Sequence, residues 1–299
     1  MQLPQGGPML LAVYQPWFGK PSHINVGYSS HDPVVLREQI DRAKELNIGG
    51  FVVNWYGPGK DFEDQSLAML MQAAAENSFN IAVQYDEPVD HPGANTEQVL
   101  SDFDYLYRKY IAPGAGTSSA AYLRYRGRPV IFIFPKDGET DWNRVRQATQ
   151  SWPQPPLLIY KDQNTRYPNA FDGYYAWVQP GREGWQRDGS NTGQDYLDNF
   201  YRTMQRKYPD KLVVGAVWPG FDDSKASWRR GRRMDYKCGR TFEDGLRTFR
   251  HFYGNDNAPA FLLIATWNDY EEGTDIERGI SHCDSGGGTV NTARLRSPY

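Results

Sequence analysis

At 299 residues the chain exceeds the usual single-domain size, yet α/β barrels of roughly 200–250 residues or more fold as one unit, so one domain spanning 1–299 is expected. A formal net charge of −3, with 33 Lys and Arg mostly dispersed, argues against a polyanion as main partner, and nucleic acid is not expected. No apolar run reaches the roughly 18 residues a membrane span needs, and Met1-Gln-Leu-Pro-Gln-Gly-Gly-Pro8 lacks a signal-peptide pattern, which leaves a soluble chain of open cellular location.

In chain order, apolar strand-length runs alternate with helical periods. Strands are predicted at Leu10–Tyr14, Gly50–Trp55, Ile81–Tyr85, Pro129–Phe134, Leu157–Tyr160, Gly173–Trp177, Leu212–Trp218 and Phe261–Thr266. Amphipathic helices are predicted at Pro33–Leu46, Phe62–Glu76, Thr96–Tyr110, Asp141–Ser151, Gln194–Tyr208 and Phe242–Tyr253, with the clearest starts at Asp32-Pro33 and Asn95-Thr96-Glu97. Eight strands with intervening helices predict a (β/α)8 TIM barrel with long βα loops, since an open doubly wound sheet more often stops at about five to seven strands. No clear helix fits between Asp162 and Asp172, and the tail from 280 to 299 reads as irregular.

Barrel sites are built where strands end, and here those ends are rich in polar and aromatic residues. Strand one empties into Tyr14-Gln-Pro-Trp-Phe-Gly19, strand two into Asn54-Trp-Tyr-Gly57 and strand three into Gln84-Tyr-Asp-Glu-Pro88. Strand six gives Tyr174-Tyr-Ala-Trp177, strand seven Trp218-Pro-Gly-Phe-Asp-Asp223, and strand eight Trp267-Asn-Asp-Tyr-Glu-Glu-Gly-Thr-Asp275. An aromatic content of 14% fits this pattern, because flat amphipathic rings stack on sugar faces. A polar, ring-shaped ligand is implied.

Sugar cleavage needs an acid for the leaving oxygen and a base or nucleophile for the other face, usually two carboxyls. Asp269 and Glu272, three apart just past a strand, can serve one pocket, and burial beside Trp267 and Tyr270 would raise a pKa enough to keep a proton. The competing structural role is a helix beginning near Tyr270, capped by Asp269 with Glu272 in its first turn. Glu271 is expected to point elsewhere, toward an Arg such as Arg278. Tyr14, Trp17, Trp55, Tyr56, Tyr85, Tyr175, Trp177 and Trp218 are candidate sugar-stacking or subsite residues, each with core packing as the alternative. Glu87 is a candidate for a sugar hydroxyl, with a salt bridge to Arg as its alternative. Asp222 either binds sugar or closes its turn, and Asn268 orients the carboxyls. The cluster Arg229-Arg-Gly-Arg-Arg233, near Asp222, Asp223 and Asp235, reads as local salt bridging.

No histidine or cysteine spacing matches a metal site, and no cofactor is expected. Cys238 and Cys283 either pair or remain free. A monomer is expected.

The segment Thr266-Trp-Asn-Asp-Tyr-Glu-Glu-Gly-Thr-Asp-Ile-Glu277 resembles the last-strand motif shared by the endo-α-mannosidases of glycoside hydrolase family 99 and the α-1,3-glucanases of family 71. Gly27–Pro33, Gly49–Gly57, Tyr122–Val130 and Trp218–Asp223 resemble the mannosidase group in the same order. The resemblance covers about Tyr14 to Glu277 and implies a metal-free (β/α)8 enzyme acting on α-linked glycans. It implies Glu272 as general acid and Asp269 as base, toward water or the sugar's own 2-hydroxyl. The mannosidase motif carries two Glu, whereas Asp269 matches the glucanase pair, so an α-mannan or an α-glucan is the implied substrate. A glycan-binding barrel without cleavage is the alternative, and a phosphate-ester site would need a glycine loop such as Gly273 or Gly286–Gly288.

Overall fold

The computed structural model describes residues 7–89, 95–136, 139–254 and 259–280. Eight parallel strands, β1 (Met9–Tyr14), β2 (Ile48–Trp55), β3 (Asn80–Asp86), β4 (Arg128–Phe134), β5 (Leu157–Lys161), β6 (Gly173–Tyr175), β7 (Leu212–Val217) and β8 (Phe261–Ile264), pair each with the next. β8 then pairs with β1, from Met9 opposite Phe261 to Ala12 opposite Ile264, and the sheet closes. The expected (β/α)8 barrel is the observed fold.

β6 and β8 stop two residues short of their apolar runs, and β7 stops one residue short. Thr266 gives its N–H to Thr274 O at 2.8 Å, and Trp177 gives its own to the Tyr196 hydroxyl at 3.2 Å. Both residues have therefore left the ladder to build loops at the barrel mouth.

Helices α1 (Pro33–Glu45), α2 (Asp61–Glu76), α3 (Asn95–Leu106), α4 (Trp142–Gln150), α5 (Gln194–Lys207) and α6 (Arg240–Tyr253) fill the crossovers. Local chemistry sets their starts. Asp32 accepts from Val34 N at 2.8 Å ahead of Pro33, and Asp141 accepts from Asn143 N at 3.0 Å, each satisfying an N–H that lacks an intrahelical partner. α3 ends earlier than its apolar period suggests and passes into one π turn, Tyr107–Ile111.

The period of two along each strand divides the apolar residues into two layers. Leu11, Val13, Val52, Ala82, Phe132, Ile159 and Leu263 fill the barrel. Ala12, Val53, Ile81, Val83, Ile133 and Leu262 pack outward with the helices. On β1 to β3 this alternation sends Gln15, Asn54 and Gln84 inward at the mouth, and Tyr14, Trp55 and Tyr85 outward.

Among the described residues no helix covers the crossover from β5 to β6. Asp172 ties that side together instead. Its carboxylate pairs with Arg128 at 2.9 Å and with Arg146, and accepts from Leu158 N at 2.9 Å. Arg128 and Arg146 also donate to Pro156 O. The proposed pairing of Cys238 with Cys283, the residues from 281 onward and the Gly286–Gly288 run lie outside the described residues.

Replacing Asp172 by Ala strands two partly buried guanidinium groups, and is expected to cost about 2–3 kcal/mol in urea unfolding. A loss below about 0.5 kcal/mol would show that the cluster does not hold this side of the barrel.

Candidate active site

After β8 the chain closes a tight turn. Asp269 N donates to Thr266 Oγ1 at 2.8 Å, Thr274 N returns to Asp269 O at 3.1 Å, and the hydroxyls of Thr266 and Thr274 lie 3.0 Å apart. Gly273 completes it at φ 62°, where a Cβ would lie 2.4 Å from the Tyr236 hydroxyl. That hydroxyl donates to Gly273 O. No helix follows within the turn, so Asp269 is not a helix cap, although it uses the same chemistry: its Oδ1 accepts from Glu271 N at 3.2 Å and Glu272 N at 2.9 Å.

Asp269 is only 2% exposed. Its Oδ2 accepts from Gln15 Nε2 at 2.9 Å, and Gln15 is fixed in turn. Asn268 clamps the Gln15 backbone, accepting from its N–H at 2.7 Å and donating to its carbonyl at 3.0 Å. Asn54 donates to Gln15 Oε1 at 2.9 Å, Gln84 to Asn54 Oδ1 at 2.5 Å, and the Tyr175 hydroxyl to Gln84 Oε1 at 3.2 Å. Four donors thus run in one direction across the barrel, from Tyr175 on β6 to Asp269 beyond β8.

Glu272 faces a different wall. Its Oε1 accepts from Trp228 Nε1 at 3.0 Å and Arg232 Nη2 at 3.3 Å, both from the loop between β7 and α6. Its backbone carbonyl accepts from Asp222 N at 2.8 Å. Burial, reinforced by the charge of Glu272, pushes the Asp269 carboxyl well above its ordinary range. Burial also raises Glu272, while Trp228 and Arg232 pull it back down. The pair therefore keeps a proton to higher pH than a solvated carboxyl would.

The two carboxyls open into a cleft of about 530 Å³ at the C-terminal ends of the strands. Trp17, Tyr56, Glu87 and Trp177 line it, together with Gln15, Asn54 and Gln84 on the floor. Lys136 holds Asp86 at 2.5 Å on the same face, and its backbone N–H donates to Glu87 at 2.8 Å, so Glu87 takes an amide where an Arg was the alternative. Burial raises the pKa of both Asp86 and Glu87.

Other sequence candidates lie elsewhere. Tyr14, Trp55 and Tyr85 face outward, bonded to Gln39 at 2.9 Å, Asp64 at 3.1 Å and Asp102 at 2.6 Å. Tyr175 sits inside the barrel beneath the cleft. Trp218 is buried, donating to Thr192 O at 3.2 Å, and Asp222 accepts from Ser224 N at 2.9 Å and closes its turn. Asn268 lies behind Gln15. Glu271 does turn away, but to His23 Nδ1 at 2.8 Å and Ile24 N at 3.3 Å; Arg278 instead donates to Val26 O.

The amides Gln15, Asn54 and Gln84 lie outside the set of site candidates that the sequence offers. Their signal is a polar side chain at an inward position of an otherwise apolar strand. Trp228 and Arg232 carried no comparable signal, since their place at Glu272 depends on how a long loop folds back.

A closed parallel barrel with a carboxyl pair in a polar cleft walled by aromatics is the architecture of enzymes that cleave sugars. The family model for Glycosyl hydrolase family 99 matches residues 17–286, and the chain belongs to that family. It is 24% identical over 278 residues to a glycoprotein endo-alpha-1,2-mannosidase-like protein of Mus musculus, and 23% over 290 residues to that of Homo sapiens. Each match takes 85% of this chain but 56% of the relative, so the chain spans about half the length of these curated relatives. The structure of the family 99 endo-alpha-mannosidase from Bacteroides thetaiotaomicron superposes with a TM-score of 0.70 at 19% identity, covering 97% of this chain and 93% of that one. The same enzyme in complex with bis-tris-propane gives 0.70 at 20%, over 92% and 88%. At this identity the likeness is one of fold.

Among the described residues no group of three or more His, Cys, Asp or Glu is gathered where a metal ion would fit, and no helix is long and apolar enough to cross a membrane.

Substituting Gly273 by Ala combines a left-handed backbone with a clash against Tyr236. It is expected to cost about 1–3 kcal/mol in thermal unfolding. An unchanged melting temperature would mean that the turn tolerates another conformation.

Proposed function

We propose that the protein is a glycoside hydrolase that cleaves within α-linked mannose chains, with Glu272 as general acid and Asp269 as base. The observation that carries this is the unequal surroundings of the two carboxyls. Asp269 receives three donors, which oppose the burial that raises its pKa and favour the anion that accepts a proton in the transition state. Glu272 has 21% of its side chain exposed at the cleft, and both of its donors converge on Oε1, which leaves Oε2 to carry the proton to the leaving oxygen. The names of the relatives support α-mannoside over α-glucan, and the prefix endo in those names supports internal cleavage.

Asp269 takes its proton from the attacking oxygen, which belongs either to water or to the sugar's own 2-hydroxyl. The anomer released first distinguishes the two, since direct attack by water inverts and attack through the 2-hydroxyl retains. The cleft also supplies Asp86, Glu87 and Lys136 as hydroxyl-binding groups, with Tyr56 and Trp177 as walls.

The test is product formation from a panel of α-mannans and α-glucans, with anomers followed by NMR. Glu272→Gln and Asp269→Asn are each expected to lower kcat by about 10²–10⁴-fold, Glu272→Gln with the melting temperature retained. Glycan binding by the unaltered protein with no product would replace hydrolysis with the binding-barrel alternative.

A bell-shaped pH profile is expected. The acid form of Glu272 is present below its folded pKa, so a raised value extends the alkaline limb beyond that of an ordinary glutamate. Gln15→Leu removes a donor that favours the Asp269 anion, which raises that pKa and moves the acidic limb of kcat/KM to higher pH, with a loss of about 10–100-fold at the optimum. An unmoved acidic limb would separate Asp269 from the base role.

A further inference from the structure

The loop between β7 and α6 is more than a site of salt bridges. Phe221–Asp222 and Arg233–Met234 pair as a short antiparallel ribbon. At its tip the buried Asp223 accepts from Arg230 N at 2.9 Å, Arg232 N at 3.0 Å and Arg232 Nε at 2.8 Å. The Arg232 guanidinium also lies 5.0 Å from the Phe221 ring and 5.6 Å from that of Trp185. Held at both ends, this segment carries Trp228 to the cleft.

Trp228 is 39% exposed although it lines the cleft, an unusual position for so large an apolar side chain. Its ring stands edge-on to Trp17 at 6.0 Å and to His23 at 6.2 Å, and Trp17 and His23 stack on each other at 4.7 Å. Two loops, after β1 and after β7, thus build one aromatic wall beside Glu272.

If Glu272 is the acid of the proposed hydrolysis, on which this inference rests, its proton goes to the oxygen that leaves. A ring that touches the outer side of that carboxyl then borders the departing sugar. We propose that Trp228, backed by Trp17 and His23, is the stacking platform for the leaving-group sugar, and that its indole N–H aims Glu272 at the glycosidic oxygen. One side chain thereby couples recognition of the leaving group to placement of the acid. Aromatic surface presented to a sugar face gives specificity at little conformational cost.

The experiment compares an α-mannooligosaccharide with the glycosyl fluoride of the same glycone, whose leaving group fills no sugar subsite. Trp228→Ala is expected to raise KM for the oligosaccharide about tenfold or more and to lower kcat/KM for the fluoride by a smaller factor, because fluoride departs without a proton from Glu272 and so needs neither the platform nor the aimed acid. Trp228→Phe keeps a ring but loses the N–H. It is expected to hold the oligosaccharide KM within about threefold while the alkaline limb moves to higher pH, because Glu272 loses a donor that favours its anion. Equal losses on both substrates, or an unchanged oligosaccharide KM in Trp228→Ala, would overturn the platform while leaving hydrolysis standing. An unaltered protein that cleaves neither substrate would overturn the functional proposal and this one together.

Discussion

A carboxylate cut off from water must be given hydrogen bonds by the chain around it, or it takes up a proton and ceases to act as an anion. At Asp269 those bonds come from two amides of its own turn and from the side chain of Gln15, more than 250 residues away in sequence. Satisfying this one group accounts for much of what surrounds it: the left-handed Gly273, the paired hydroxyls of Thr266 and Thr274, and the double clamp of Asn268 on Gln15.

The amide row extends the same requirement through the barrel. A buried Gln or Asn offers both a donor and an acceptor, so a chain of them is satisfied only when every member points the same way. Here the direction is set at both ends, by the Tyr175 hydroxyl as a donor and by Asp269 Oδ2 as an acceptor. The inward layer that fills the lower barrel with apolar side chains gives way to polar residues toward the mouth, at the floor and walls of the cleft. Rigidity below the site and polarity within it therefore arise from a single alternating pattern.

Glu272 depends on a different part of the chain. Its donors come from a loop whose shape rests on the buried Asp223, so the two carboxyls, three residues apart, answer to separate structures: Asp269 to the barrel strands and Glu272 to an excursion above them. That separation lets one turn hold two carboxyls of unlike character. Like charges at such spacing raise each other's pKa, and only unequal partners decide which one carries the proton.

How far each feature could be read from sequence follows from the range of the physics behind it. The eight strands, the absent helix between β5 and β6, and the density of chemistry past β8 were legible because apolar periodicity and strand-end composition are local properties. The family resemblance was legible for the same reason, since its motifs are short contiguous strings. Tyr14, Trp55 and Tyr85 look from sequence like Trp17 and Tyr56, yet the first three are set outward by the pleat and the other two reach the cleft. That distinction needs strand register, which the alternation of neighbours hints at but does not fix. The placement of Trp228 and Arg232 against Glu272, of His23 against Glu271, and of Gln15 against Asp269 was decided only in three dimensions. The sequence by itself determined the strands of the barrel and where its chemistry gathers; the tertiary structure decided which donor meets which carboxylate, because that depends on barrel closure and loop return between segments that share no local signal.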